Sequence, residues 1–330
     1  MPEQRSREQP GERQGGRSEA VDKYRGLAII LMVIANHLAD IASVPAGLKH
    51  APDVGLTPID LIAPFFIFAI GLTYGPSYRG RLSRDGLARA YGHFIRRWLA
   101  LIGIGAIISA GEVLVGQGAG KMSWGVLQAI GAAGLIALPL LALGPGWRML
   151  AGLALLGAYQ LLLDAFWLPL VLGSGHGGLP GCLSWAGMLV LATAVADLLH
   201  LGRKRLFPLA NLAALAAGIA LAFVVPVSKN RVSASYVLVS LGASGVLFMG
   251  IKLAVERLGV RPAFLSWWGA NPLLLYIGHY LLLAVFVLPG IPWWHAEASL
   301  LLAAAQAALL VGVLTLCAWL LARKGLRVSL

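Results

Sequence analysis

The sequence has 330 residues, of which 58% are hydrophobic and 12% charged, against about 25% charged residues in a soluble domain. Apolar runs near the ~20 residues that a helix needs to cross a bilayer recur from Gly26 onward, and the short alternating segments of a membrane β-barrel are missing. The net charge of +12 sits between these runs, where charge orients a membrane protein, and this argues against a nucleic-acid-binding surface. Cys182 and Cys317 lie in or at the edge of apolar runs. They form neither a metal-ligand spacing nor a disulfide framework.

Residues 1–24 are polar and rich in Arg, Glu, Gln and Gly, and read as a disordered basic cytoplasmic tail. Residues 25–330 read as one all-α domain, a polytopic integral membrane helix bundle of about ten transmembrane helices. The expected spans are 26–44, 58–76, 98–115, 124–142, 149–163, 181–200, 208–227, 234–251, 264–287 and 298–322. With the N-terminus inside, only Lys49, Lys121, Lys229 and Arg231 of the 26 basic residues fall in outer segments. That asymmetry predicts both termini to be cytoplasmic and the Leu48–Thr57 loop to face out. The Gly-rich segment Asp164–Pro180 is expected to be a flexible outer connection.

Polar residues inside the spans are costly and call for a reason. Asn36 and His37 lie roughly 17 Å beyond Arg25 along the first span, at 1.5 Å per residue. The second span opens with Thr57 as a cap and Pro58 as its first helical residue. Asp60 in its first turn fits either the cap or an active site. Gln128 lies early in the fourth span, and Tyr236 early in the eighth. The ninth carries Asn271 in its inner half and then Tyr276 and His279 on one face. Asn36, His50, Asp60, Gln128, Tyr236 and His279 share the outer half, which suggests a lined cavity more than helix-to-helix glue. Among the histidines, His93 and His200 read as interfacial. His295 reads as part of an aromatic belt, and His176 as part of the flexible connection. His37, His50 and His279 remain, and an imidazole can serve as a base or a nucleophile near neutral pH.

Four stretches carry a resemblance to a known family: RSEAVDKYRGLAIILMVIAN from Arg17, LKHAPDVGLTPIDLIAPFFIFAIG from Leu48, WGVLQAIG from Trp124 and WGANPLLLYIGHY from Trp268. NRVSASYVL from Asn230 is a weaker fifth. In this order they resemble the heparan-α-glucosaminide N-acetyltransferase family of transmembrane acetyltransferases. The resemblance implies transfer of an acetyl group from cytosolic acetyl-CoA to the amine of a terminal glucosamine across the membrane, with no metal. It places the family's active-site His on His50, its neighbouring Asn on Asn36 and its motif Asp on Asp60. Arg25, Arg96, Arg97 and Gln128 are then expected around acetyl-CoA. Asp53, Tyr236, Asn271, Tyr276 and His279 are expected around an amino-sugar or glycan acceptor. The expected setting is the lipid bilayer of a bacterial cytoplasmic membrane, with a homodimer as a candidate assembly. The sequence departs from the family pattern at Asp53 (a Trp there), Ala63 (an aromatic) and Ala129 (an Arg). These departures bear on the acceptor more than on the chemistry. An amino-sugar permease and an O-acyltransferase of a surface glycan are the alternatives.

Overall fold

The computed structural model describes residues 18–114, 122–203 and 205–328. Among them it is all-helical, with no strand. The helices are α1 (Glu19–Leu38), α2 (Ile62–Asp85), α3 (Leu87–Leu114), α4 (Val126–Ala137), α5 (Pro145–Leu162), α6 (Leu168–Leu172), α7 (Gly178–His200), α8 (Leu206–Leu221), α9 (Ala234–Glu256), α10 (Ala263–Ala270), α11 (Pro272–Val287) and α12 (Leu300–Arg323).

Each of the ten expected spans falls on a helix, but the helices differ in kind. Among the described residues, six segments are long and apolar enough to cross a membrane: Pro58–Asp85, Leu87–Leu114, Pro145–Leu172, Gly175–His200, Ala234–Glu256 and Leu300–Arg323. The ninth span is broken: α10 and α11 meet at Asn271 and are bent by 89°. Pro272 opens the second half, where its missing N–H costs nothing. The first, fourth and seventh spans become α1, with 20 residues, α4, with 12, and α8, with 16.

Helix α1 starts at Glu19, inside the stretch expected to be a tail. The remaining tail residues, 1–17, lie outside the described residues, as do Lys121 and Lys204. Two features explain the early start. Glu19 and Asp22 complement the positive end of the helix. Ala20, Val21, Lys23 and Tyr24 are also buried, and Lys23 Nζ donates to Pro262 O at 3.1 Å and Ser266 Oγ at 3.0 Å. Helices α1 and α10 cross almost backbone to backbone. A Cβ on Gly26 would stand 2.0 Å from Leu265 O, and one on Gly269 1.8 Å from Asp22 O.

Helix α7 forms the centre of the bundle, packed against α2, α4 and α5 and buried along most of its length. The expected flexible connection is mostly helical. Helix α5 continues through a π-helical turn, Leu163–Trp167, into α6. Pro169 lies just beyond that turn and has no N–H for the normal ladder. A short turn, Gly175–Gly177, then leads into α7.

The loop before α2 is tied to the loop before α9. The Asp53 carboxylate is held by the Arg231 guanidinium and by Ser228 Oγ at 2.8 Å. Asn230 Nδ2 donates to Pro52 O at 2.6 Å, and Gly55 N–H to Val227 O at 2.8 Å.

Candidate active site

Two cavities lie end to end along one seam of the bundle. One, of about 220 Å³, is lined by Asn36, His50, Asp60, Glu112, His176 and Lys229 among others. The other, of about 670 Å³, opens at the opposite end of α1 and is lined by Arg25, Thr73, Arg97, His200 and Arg327 among others. Both are bounded by the same five residues, Met32, Phe66, Val126, Leu127 and Tyr276. The seam follows from helical spacing. On α1, Arg25, Ile29 and Met32 face the arginine-side cavity, and Met32, Ala35 and Asn36 the histidine-side one. On α2, Ala63 and Phe66 face the histidine side, and Phe66, Ile70, Thr73 and Ser77 the arginine side.

The histidine side is built around Asp60. A 3₁₀ turn, Pro58–Leu61, precedes α2. Asp60 is fully buried there, and the His50 side chain is 42% exposed. Asp60 Oδ1 accepts a hydrogen bond from His50 Nδ1 at 2.7 Å. Asp60 Oδ2 accepts the N–H of Thr57 at 2.9 Å and of Ala51 at 3.2 Å, with Thr57 Oγ1 at 3.1 Å. One carboxylate therefore caps the helix and also holds the imidazole. A carboxylate on Nδ1 makes Nδ1 the protonated nitrogen of the neutral ring and leaves the lone pair on Nε2.

The surroundings fix Asp60 further. Tyr236 Oη donates to the Asp60 carbonyl at 2.6 Å. Lys229 Nζ stands 3.9 Å from Asp60 Oδ1. Burial pulls the Lys229 ammonium below the ordinary lysine value, and the nearby Asp60 charge opposes that shift. Asn36 Nδ2 donates to His279 Nε2 at 3.0 Å, and His279 Nδ1 donates to the Tyr276 carbonyl. The second N–H of the Asn36 amide is left for another acceptor.

The structure sorts the expected residues into groups. Asn36, His50 and Asp60 share one cavity with Tyr276, and His279 holds Asn36 from behind. Tyr236 is buried and supports Asp60. Asp53 is engaged by Arg231 and holds the loop rather than lining a cavity. Arg25 and Arg97 line the larger cavity. Arg25 donates to Thr73 Oγ1 at 2.8 Å, and Arg97 lies over the Trp98 ring at 5.3 Å. Arg96, one residue away, is exposed and donates to Gly92 O at 3.1 Å. Gln128 sits on the histidine side, where its Oε1 accepts the Gly125 N–H at 3.1 Å. Asn271 lines neither cavity and binds the backbone that follows α12.

Several lining residues were not anticipated. Glu112 is a lone carboxylate within an expected span, a signal that composition alone could have raised. Lys229 is one of only four basic residues in expected outer segments. His176 adopts a left-handed backbone, φ 51° and ψ 31°, unusual for a residue with a Cβ. Its carbonyl accepts from Trp185 Nε1 at 3.0 Å, and the residue lines the histidine-side cavity.

The fold and site together define a helical membrane protein with a carboxylate-oriented imidazole at the mouth of a divided seam. Residues 17–224 match the family described as heparan-alpha-glucosaminide N-acetyltransferase, catalytic, and the chain belongs to that family of acyltransferases. It is 33% identical to the heparan-alpha-glucosaminide N-acetyltransferase of Mus musculus over 35% of this chain, and 35% identical to that of Homo sapiens over the same share. The matches span 18% of the mouse protein and 17% of the human one.

Proposed function

We propose that the protein moves an acetyl group from cytosolic acetyl-CoA to the amine of a glucosamine-like sugar on the far side of the membrane. The observation that carries this reading is the pair of cavities that share five lining residues, Met32, Phe66, Val126, Leu127 and Tyr276. The larger cavity falls within the ~300–1,000 Å³ of small-molecule sites. Arg25 and Arg97 line it, and guanidiniums there would suit the phosphates of a donor through charge-assisted hydrogen bonds. The bias of basic residues supports reading that end as cytosolic, both termini with it, and His50 as outside. A bacterial cytoplasmic membrane fits this arrangement.

In the reaction, the acceptor nitrogen attacks the thioester carbonyl carbon and the C–S bond breaks. The second N–H of Asn36 stabilises the carbonyl oxygen as it becomes negative. His50 Nε2 takes the amine proton and returns it to the departing sulfur. In the alternative sequence, His50 Nε2 attacks the thioester carbonyl carbon and CoA leaves as its thiolate; the amine then attacks the acetyl carbon, the C–N bond to the imidazole breaks, and the freed Nε2 takes the amine proton. Radiolabelled acetyl-CoA without acceptor separates the two, because only the second route labels His50.

The test is purified protein with labelled acetyl-CoA and a panel of amino sugars and hydroxyl acceptors. The expected product is an N-acetylated amino sugar, formed by the wild type and lost in His50→Ala. Labelled O-acetyl ester would instead support the O-acyltransferase reading. Labelled acceptor crossing unacetylated would support the permease, which the in-line cavities also suit.

A further inference from the structure

A third arginine, Arg327, borders the arginine-side cavity, from a segment whose charge in the sequence speaks only to orientation. Helix α12 ends in a Schellman turn: Gly325 is left-handed at φ +66°, Leu326 N–H bonds Leu321 O at 2.9 Å and Gly325 N–H bonds Ala322 O at 3.1 Å. This turn brings the chain back to the break between α10 and α11. There the fully buried Asn271 side chain pins it at two points. Nδ2 donates to Leu326 O at 3.1 Å, and Oδ1 accepts the Val328 N–H at 2.7 Å. Arg327 lies between the two pinned groups, and both Arg327 and Val328 border the cavity beside Arg25 and Arg97. Arg327 has no carboxylate within ion-pair distance among the described residues.

We infer that Arg327 is a donor-binding residue that recognises the phosphates of a phosphorylated acyl thioester, and that Asn271 is the positioning residue that presents it. This rests on the reading of the larger cavity as the donor site. Three guanidiniums on three separate segments suit several phosphates at once, since a guanidinium pairs bidentately with phosphate oxygens. It also explains the Asn271 side chain, which reaches no cavity and spends both ends of its amide on the backbone around one arginine.

The experiment compares acetyl-CoA with S-acetylpantetheine, which carries the same thioester and no phosphate. Arg327→Gln is expected to raise the KM for acetyl-CoA about tenfold, the worth of one charge-assisted contact. kcat should stay near wild type, and kcat/KM for S-acetylpantetheine should not change. Asn271→Ala should raise the acetyl-CoA KM to a similar degree, and the double variant should be little worse than either single one, because both act through one contact. Lys324→Gln, an exposed charge change nearby, should leave KM unchanged. An unchanged acetyl-CoA KM in Arg327→Gln, or an equal loss with both donors, overturns the inference while the transferase reading stands. A wild type that turns over neither donor overturns both.

Discussion

At the scale of single residues, Asp60 is the most heavily used side chain in the site. Its two oxygens serve His50, Thr57 and Ala51, so replacing it removes orientation and cap together. Asp60→Asn keeps the volume but turns an N–H₂ group toward donors. On the reading of His50 as base or acetyl carrier, turnover should fall by about 10²–10⁴-fold, the range for loss of positioned proton transfer. Steady-state kinetics on folded, detergent-extracted protein would measure this, and a fall under threefold would contradict it. Asp53 has a different task. The Arg231 guanidinium holds its carboxyl below the ordinary carboxylate range. The folded state therefore resists protonation here. The stabilisation is complete above the ordinary value near ~4 and is lost as pH falls through the depressed one. The pair is partly solvent-screened, so its worth is roughly 0.2–1 kcal/mol. Thermal melts across pH 3–6 (roughly, spanning the carboxylate range) should show this acid-side loss in the wild type and a smaller one in Asp53→Asn.

At the scale of elements, the α1–α10 crossing is set by two glycines with no room for a Cβ. Gly269→Ala would drive a methyl into the Asp22 carbonyl, and either helix must move to relieve it. Overpacking of this kind costs about 1–3 kcal/mol, read as a lower melting temperature. Gly92→Ala meets open space within α3 and should gain about 0.4–1 kcal/mol from reduced unfolded-state freedom. The break at Asn271 belongs to the same corner. There the Asn271 side chain holds the segment after α12 through Leu326 O and the Val328 N–H.

At the scale of the whole molecule, what could be read from the sequence was what is local. Each expected span fell on a helix because apolarity and helical spacing are properties of short windows. His50 and Asp60 are ten residues apart, on one loop and the turn that follows it. The Thr57-Pro58 start signal located that turn. Other features required the fold. Lys229 reaches Asp60 from the far loop. Asn271 meets Leu326 and Val328 from 55 and 57 residues away. Gln128 and Arg25 proved to face different cavities, although both read as donor contacts. The Gly-rich run suggested mobility around His176, yet Trp185 holds its carbonyl in a left-handed turn and the residue lines the cavity. A chain's own spacing cannot show such pairings, because distant packing decides them.

In the proposed reaction, acetyl passes between the two cavities, past their five shared residues, from one side of a membrane to the other. This transfer is tested most directly in sealed vesicles containing the protein, with labelled acetyl-CoA outside and an amino sugar enclosed. The expected result is labelled N-acetylated sugar inside the vesicles and none in His50→Ala vesicles. Product formed only when donor and acceptor share one compartment, or sugar that leaves unacetylated, would contradict it.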